Sequence, residues 1–182
     1  AVVSGRLINA GISVELTMIT AGVVGLLAAG FYGALTVRLS RYYFAVTGIA
    51  IMSILNFVYR TFDSIAGGYS GFTVEAPVFL LLGGSESRTP LTLYLVGLTV
   101  LALSYIGVRY LERTPLGRGW RVLRQSTATA QALGINVWRS RVLSFAISMA
   151  VISVAGSWHV VVTSRFLPES YMFTDLLFMF LI

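Results

Sequence analysis

The chain has 182 residues, 57% of them hydrophobic and only 11% charged, with a formal net charge of +6 and a mean hydropathy of +0.84. That balance excludes an ordinary water-soluble domain and reads as a polytopic, all-α integral membrane protein. All 13 basic residues are arginine and cysteine is absent. A P-loop ATPase, whose phosphate loop needs a lysine, is therefore excluded, as are thiol catalysis and disulfides. One histidine leaves no two-histidine zinc site, and the chain itself is expected to bind no metal or cofactor.

About 20 apolar residues cross a bilayer as a helix. The first such run is 17–37, with Glu15 at its outer edge and a small-residue stripe at Gly22, Gly25, Ala29 and Gly33. Small stripes let membrane helices approach closely, so helix packing is the favoured reading. The second run, 42–59, places Ser53, Asn56 and Arg60 on one face. Ser53 and Asn56 are therefore candidates for lining a pathway, on equal terms with interhelical hydrogen bonding. Residues 60–90 make a glycine-rich outer loop, with Gly67, Gly68 and Gly71 marking turns. Its apolar patch Val78–Leu82 is too short to span.

A third span covers 91–108 and a fourth 142–163, the latter with its own small stripe at Ala146, Ala150, Ser153 and Ser157. A fifth run, 171–182, stops while still apolar. With alanine at position 1 and nothing like a signal peptide, the chain reads as a fragment of one longer transmembrane domain, cut at both ends. Alternating the spans puts Arg38, Arg41 and the seven arginines of 109–141 on one side, against Arg6, Arg60, Arg88 and Arg165 on the other. The arginine-rich loops 38–41 and 109–141 are assigned to the cytoplasm. The positive charge is thus a topology signal, and no nucleic-acid partner is implied.

Loop 109–141 carries local signals of its own. Thr114 followed by Pro115 starts a helix. Leu116, Trp120 and Leu123 then share a face while Arg118 and Arg121 lie on another, the pattern of a helix lying on the membrane surface. An alanine-rich segment, 127–133, ends at Gly134, which supplies the left-handed residue of a helix stop. Asn136 is placed to cap the next span.

Gly117 to Arg124, followed by Ala132-Leu-Gly-Ile-Asn-Val, resembles the cytoplasmic signature of LivM-type permeases, the membrane subunits of branched-chain amino acid ABC importers. Arg38 to Ala45, Ala66 to Phe72 and Pro168 to Tyr171 resemble further elements of that family in the same order. The resemblance implies a permease subunit of an ATP-driven importer, itself no enzyme, in the plasma (inner) membrane of a bacterium. It implies as partners two cytoplasmic ATPase subunits holding ATP-Mg, a second permease subunit, and a periplasmic or lipid-anchored binding protein. ATPase coupling would fall on Gly117, Arg118, Arg121, Arg124, Thr127, Ala130, Ala132, Leu133 and Gly134. Contact with the binding protein would fall on Gly67, Gly68 and Gly71.

Two positions depart from the family pattern. Arg124 to Thr127 is neutral after the arginine where relatives often carry acids. Ser53 and Asn56 stand where a glutamate and an arginine are common, which leaves urea and short amides open as substrates. Two other classes compete with the importer reading. A secondary carrier or channel lacks support from internal repeats or mid-span acids. A rhomboid-like serine protease using Ser70 and His159 needs both groups within hydrogen-bond reach inside the bundle, yet Ser70 follows Arg60 and Asp63 in a polar loop.

Overall fold

The computed structural model describes residues 1–37, 41–62, 67–68, 71–74, 79 and 90–166. Arg38, Ser70, most of the outer loop and the apolar run 171–182 lie outside the described residues. Seven helices are described: α1 (Val2–Asn9), α2 (Val14–Thr36), α3 (Arg41–Thr61), α4 (Pro90–Arg113), α5 (Pro115–Gln125), α6 (Thr127–Ala132) and α7 (Val137–Thr163). Two short strands, β1 (Phe72–Thr73) and β2 (Arg165–Phe166), pair antiparallel, with Phe72 opposite Phe166 and Thr73 opposite Arg165. α2, α4 and α7 are long and apolar enough to cross a membrane. The apolar part of α3, Val46–Thr61, is shorter.

α2 and α7 form the central antiparallel pair, and the two small-residue stripes meet there. A Cβ at Gly25 would overlap the side chain of Ser153. One at Gly22 would sit 3.1 Å from Val154, and one at Gly33 would sit 3.1 Å from the Phe145 ring. Ala29 and Ala146 are buried in the same seam. Lipid tails are as apolar as leucine, so burial alone does not drive such helices together. Close backbone approach and dispersion do.

A buried cluster lies beside the strand pair, where Ile8, Val14, Met18, Val74, Phe79, Val160, Val161 and Phe166 pack together. Helix α1 covers it. Gly5 lies beneath the Phe72 ring, and the Arg6 guanidinium stands 5.1 Å from that ring's centre. Asn9 Nδ2 donates to the Thr73 carbonyl at 3.0 Å, tying the helix to the strand. The sequence reading left α1 and the strand pair undetected. Eight residues without a side-chain cap carry little helical signal, and two-residue strands carry almost none.

α4 has no buried residue. It meets α7 where Gly97 faces the Trp158 indole, with Nε1 2.8 Å from an added Cβ. Its remaining apolar surface faces outward, as a helix presents itself to hydrocarbon or to further membrane helices.

The seam yields a test. Gly25→Val should destabilise the fold by about 1–3 kcal/mol through overpacking, read by denaturant titration in detergent. Gly156→Ala, whose added Cβ meets nothing within 4 Å, should change stability little. Equal effects would show that the α2–α7 seam is not the tight contact.

Candidate functional site

The segment between α4 and α7, which the arginine count assigns to the cytoplasm, is built from local rules, and the structure follows them closely. Gly117 is buried against the end of α4. A Cβ there would lie 2.5 Å from the Cα and carbonyl oxygen of Glu112, backbone atoms that cannot yield. Only glycine permits α5 to turn back so tightly on α4. Arg121 Nη2 donates to the Glu112 carbonyl at 2.8 Å and reinforces that corner. The Arg109–Glu112 ion pair, at 3.5 Å with both side chains at least half exposed, adds little in water-like surroundings.

Thr114 and Pro115 occupy the expected N-cap and first-turn positions, with one correction. The Thr114 hydroxyl does not cap α5 and instead donates back to the Leu111 carbonyl at 2.6 Å. That choice closes the end of α4 rather than the start of α5. On α5, Trp120 and Leu123 are half-buried, whereas Leu116 is exposed along with Arg118, Arg121 and Arg124. Trp120 Nε1 donates to the Ser140 carbonyl at 3.0 Å and so straps α5 to the first turn of α7.

α6 begins at Ser126, whose hydroxyl accepts from the Thr129 amide at 3.2 Å. No capping box marks this start, because Thr129 stands where a Glu or Gln would be needed; the serine itself is a favoured N-cap residue. The helix ends in a Schellman motif: the Gly134 amide donates to the Gln131 carbonyl and the Ile135 amide to the Ala130 carbonyl, both at 2.9 Å. Gly134 has φ +74°, a conformation costly for any residue with a side chain. Asn136 Oδ1 then accepts from the Arg139 amide at 3.0 Å and caps α7.

The anticipated coupling residues divide into two groups. Gly117 and Ala130 are buried, and Ala130 is the anchor that seats α6, at 0% exposure. Arg118, Arg121, Arg124, Thr127, Ala132, Leu133 and Gly134 are exposed, and Leu133 presents a large apolar side chain at 65% exposure.

A second feature lies within the helices. A cavity of about 730 Å³ opens between α2, α3 and α7. Ala28 and Gly48 leave its space, and Met52, Met149 and Ile152 contribute apolar walls. Asn56 lines it, as does Ser153. Ser53 does not; it is exposed, and its hydroxyl donates to the Ile49 carbonyl at 3.0 Å. Arg60 Nε donates to Asn56 Oδ1 at 3.0 Å. On the outer side, Gly67, Gly68 and Gly71 all have positive φ and shape the turn before β1. His159 is exposed near one end of α7, and the Ser70–His159 pairing itself falls outside the described residues because Ser70 does.

A tightly packed set of membrane-length helices with a structured, exposed corner defines a polytopic α-helical membrane protein. The profile of the family described as "Branched-chain amino acid transport system / permease component" matches residues 1–182. The chain belongs to this family, one of transport permeases rather than enzymes.

Among individual relatives, it is 29% identical over 171 residues to the high-affinity branched-chain amino acid transport system permease protein LivM of Escherichia coli (strain K12), covering 81% of this chain and 40% of that protein. It is 25% identical over 174 residues to the probable branched-chain amino acid transport permease protein LivM of Methanocaldococcus jannaschii, covering 96% and 49%. It is 31% identical over 156 residues to the autoinducer 2 import system permease protein LsrC of Enterobacter sp. (strain 638), covering 86% and 43%. The chain thus spans less than half the length of these curated relatives. No solved structure matches it.

The helix stop can be tested directly. Gly134→Ala places a side chain at positive φ, costing about 1–2 kcal/mol. The amides of Gly134 and Ile135 should then exchange hydrogen about tenfold faster, measured by hydrogen-exchange mass spectrometry. Unchanged protection would show that the Schellman bonds do not hold α6.

Proposed function

We propose that this chain is part of the permease subunit of an ATP-driven importer for branched-chain amino acids, in the plasma (inner) membrane, with α5–α6 as the element that receives the ATPase. The observation that carries this reading is the division of α6 into a buried anchor and an exposed face. Ala130 seats the helix, while Thr127, Ala128, Gln131 and Leu133 face outward. Leu133 is an exposed apolar knob of the kind a partner groove takes up.

The mechanical consequence follows from the bonds around it. α6 joins α7 through a rigid stop of four residues, 133–136, α5 is strapped to α7 by Trp120, and α7 is locked into α2 by the glycine seam. A push on α6 therefore moves α7 and α2 together as a rigid body. In this reading two partner ATPases hold ATP-Mg, a second permease subunit completes the pathway, and a binding protein delivers substrate at the outer turn of Gly67, Gly68 and Gly71. The names of the LivM relatives support branched-chain amino acids as cargo.

The test uses the complete transporter in proteoliposomes. Gly134→Pro forces φ away from +74° and deletes the amide bonded to Gln131. Ala130→Asp buries a charge at the seat of α6. Both should abolish ATP-driven uptake while leaving membrane insertion intact. Leu133→Asp alters only an exposed residue, and should release the ATPase on co-purification without lowering the permease's thermal stability. Normal uptake by all three variants overturns the coupling assignment.

A further inference from the structure

The cavity between α2, α3 and α7 is bordered at both ends by aromatic rings. Toward the cytoplasm, Tyr32, Phe44 and Phe145 form a mutually touching triad, with ring centres 6.0, 5.8 and 5.5 Å apart. The Tyr32 hydroxyl also donates to Thr47 Oγ1 at 3.2 Å, latching α2 to α3. Toward the outside, Tyr59 packs edge-on to Phe166 at 6.0 Å, and Phe72 stacks on Phe166 at 5.6 Å. Tyr32, Phe44, Phe145, Tyr59 and Phe166 all line the cavity. Between the two sets of rings no described lining residue carries a charged side chain.

The volume, about 730 Å³, falls within the ~300–1,000 Å³ typical of small-ligand sites, which pair apolar walls with a few placed polar groups. Asn56 supplies such a group. Its Oδ1 accepts from Arg60, so the amide offers its two N–H donors, the right complement for a carboxylate. A seam between helices meant only for packing would have no reason to keep this space, because membrane helices gain their association from close contact. Here α3 stands off from the tightly packed α2–α7 pair, and Gly48 keeps the gap open where a side chain would begin to fill it.

We propose that this chamber holds the substrate in transit: the aliphatic side chain of an amino acid lies against Gly48, Ala28 and Met149, and its carboxylate meets Asn56. The Tyr32–Phe44–Phe145 triad is then the barrier on the cytoplasmic side, and parting of the Tyr32–Thr47 latch opens it. The proposal rests on the import reading above and adds to it the site and the chemistry of its ligand.

Gly48→Leu tests the chamber with little risk to the fold, since a Cβ there finds its nearest atom, the Tyr32 hydroxyl oxygen, at 3.8 Å. In the complete transporter, Gly48→Leu should lower leucine uptake about tenfold relative to alanine uptake, because the filled space excludes the larger side chain first. A second measurement reports occupancy without transport. Met149→Cys, in a transporter otherwise free of cysteine, should react with a maleimide more slowly in the presence of leucine than of glycine.

A wild-type complex without ATP-driven leucine uptake overturns the import reading. Wild-type uptake together with an unchanged leucine-to-alanine ratio in Gly48→Leu overturns the chamber alone. Protection of the thiol that is the same with and without leucine marks a space filled by a lipid tail or another helix, and likewise overturns it.

Discussion

Gly25 and Ser153 set the distance between α2 and α7, and the rest of the molecule is arranged around that contact. The serine side chain occupies the place a Cβ on residue 25 would take. Inside a bilayer no water is expelled when helices meet, so a seam is held by how many atoms touch. Interleaving Gly22, Gly25 and Gly33 with Val154, Ser153 and Phe145 maximises that contact and makes the pair one rigid unit. The buried cluster of Val14, Met18, Val160 and Val161 continues the same seam beyond the glycines.

That rigidity gives the corner of α5 and α6 its meaning. Short helices are marginal by themselves, and α6 has only six residues. It holds its place because both ends are capped, one face is anchored by Ala130, and its stop is covalently followed by the capped start of α7. Gly117 and Gly134 perform opposite services in this corner. The first is glycine because Glu112 leaves no room. The second is glycine because its backbone is left-handed, with open space around it.

α3 stands apart from the rigid pair, touching α2 and α7 through Phe44 and the strand residue Phe166 through Tyr59, with a cavity between. Aromatic contacts of this kind are individually small, whereas the glycine seam is a continuous close fit. The two kinds of contact therefore differ in strength, and α3 is held less tightly than α2 and α7 hold each other.

Much of this was legible in the residues. Membrane class, the three long apolar helices, the small stripes, the start at Thr114–Pro115, the stop at Gly134 and the cap at Asn136 all follow from composition, periodicity and backbone preference, which act within a few residues of one another. The family itself was legible from motif order. Other features depend on partners distant in the chain. No local rule announces that Gly117 abuts Glu112, that Trp120 reaches Ser140, that the two stripes face each other, or that Phe72 pairs with Phe166 across more than ninety residues. The same holds for Ala130, which reads as one alanine among several and is the anchor only because tertiary packing buries it. Asn56 and Ser53 share a helix face in the sequence, yet the angle of α3 turns only Asn56 into the cavity. Hydropathy and helix signals therefore determined what crosses the membrane and where the chain turns, because these are short-range properties. Which residues meet, and what space they leave, was decided by the tertiary structure, because contact between helices is set by shape rather than by hydrophobicity in a solvent that is itself apolar.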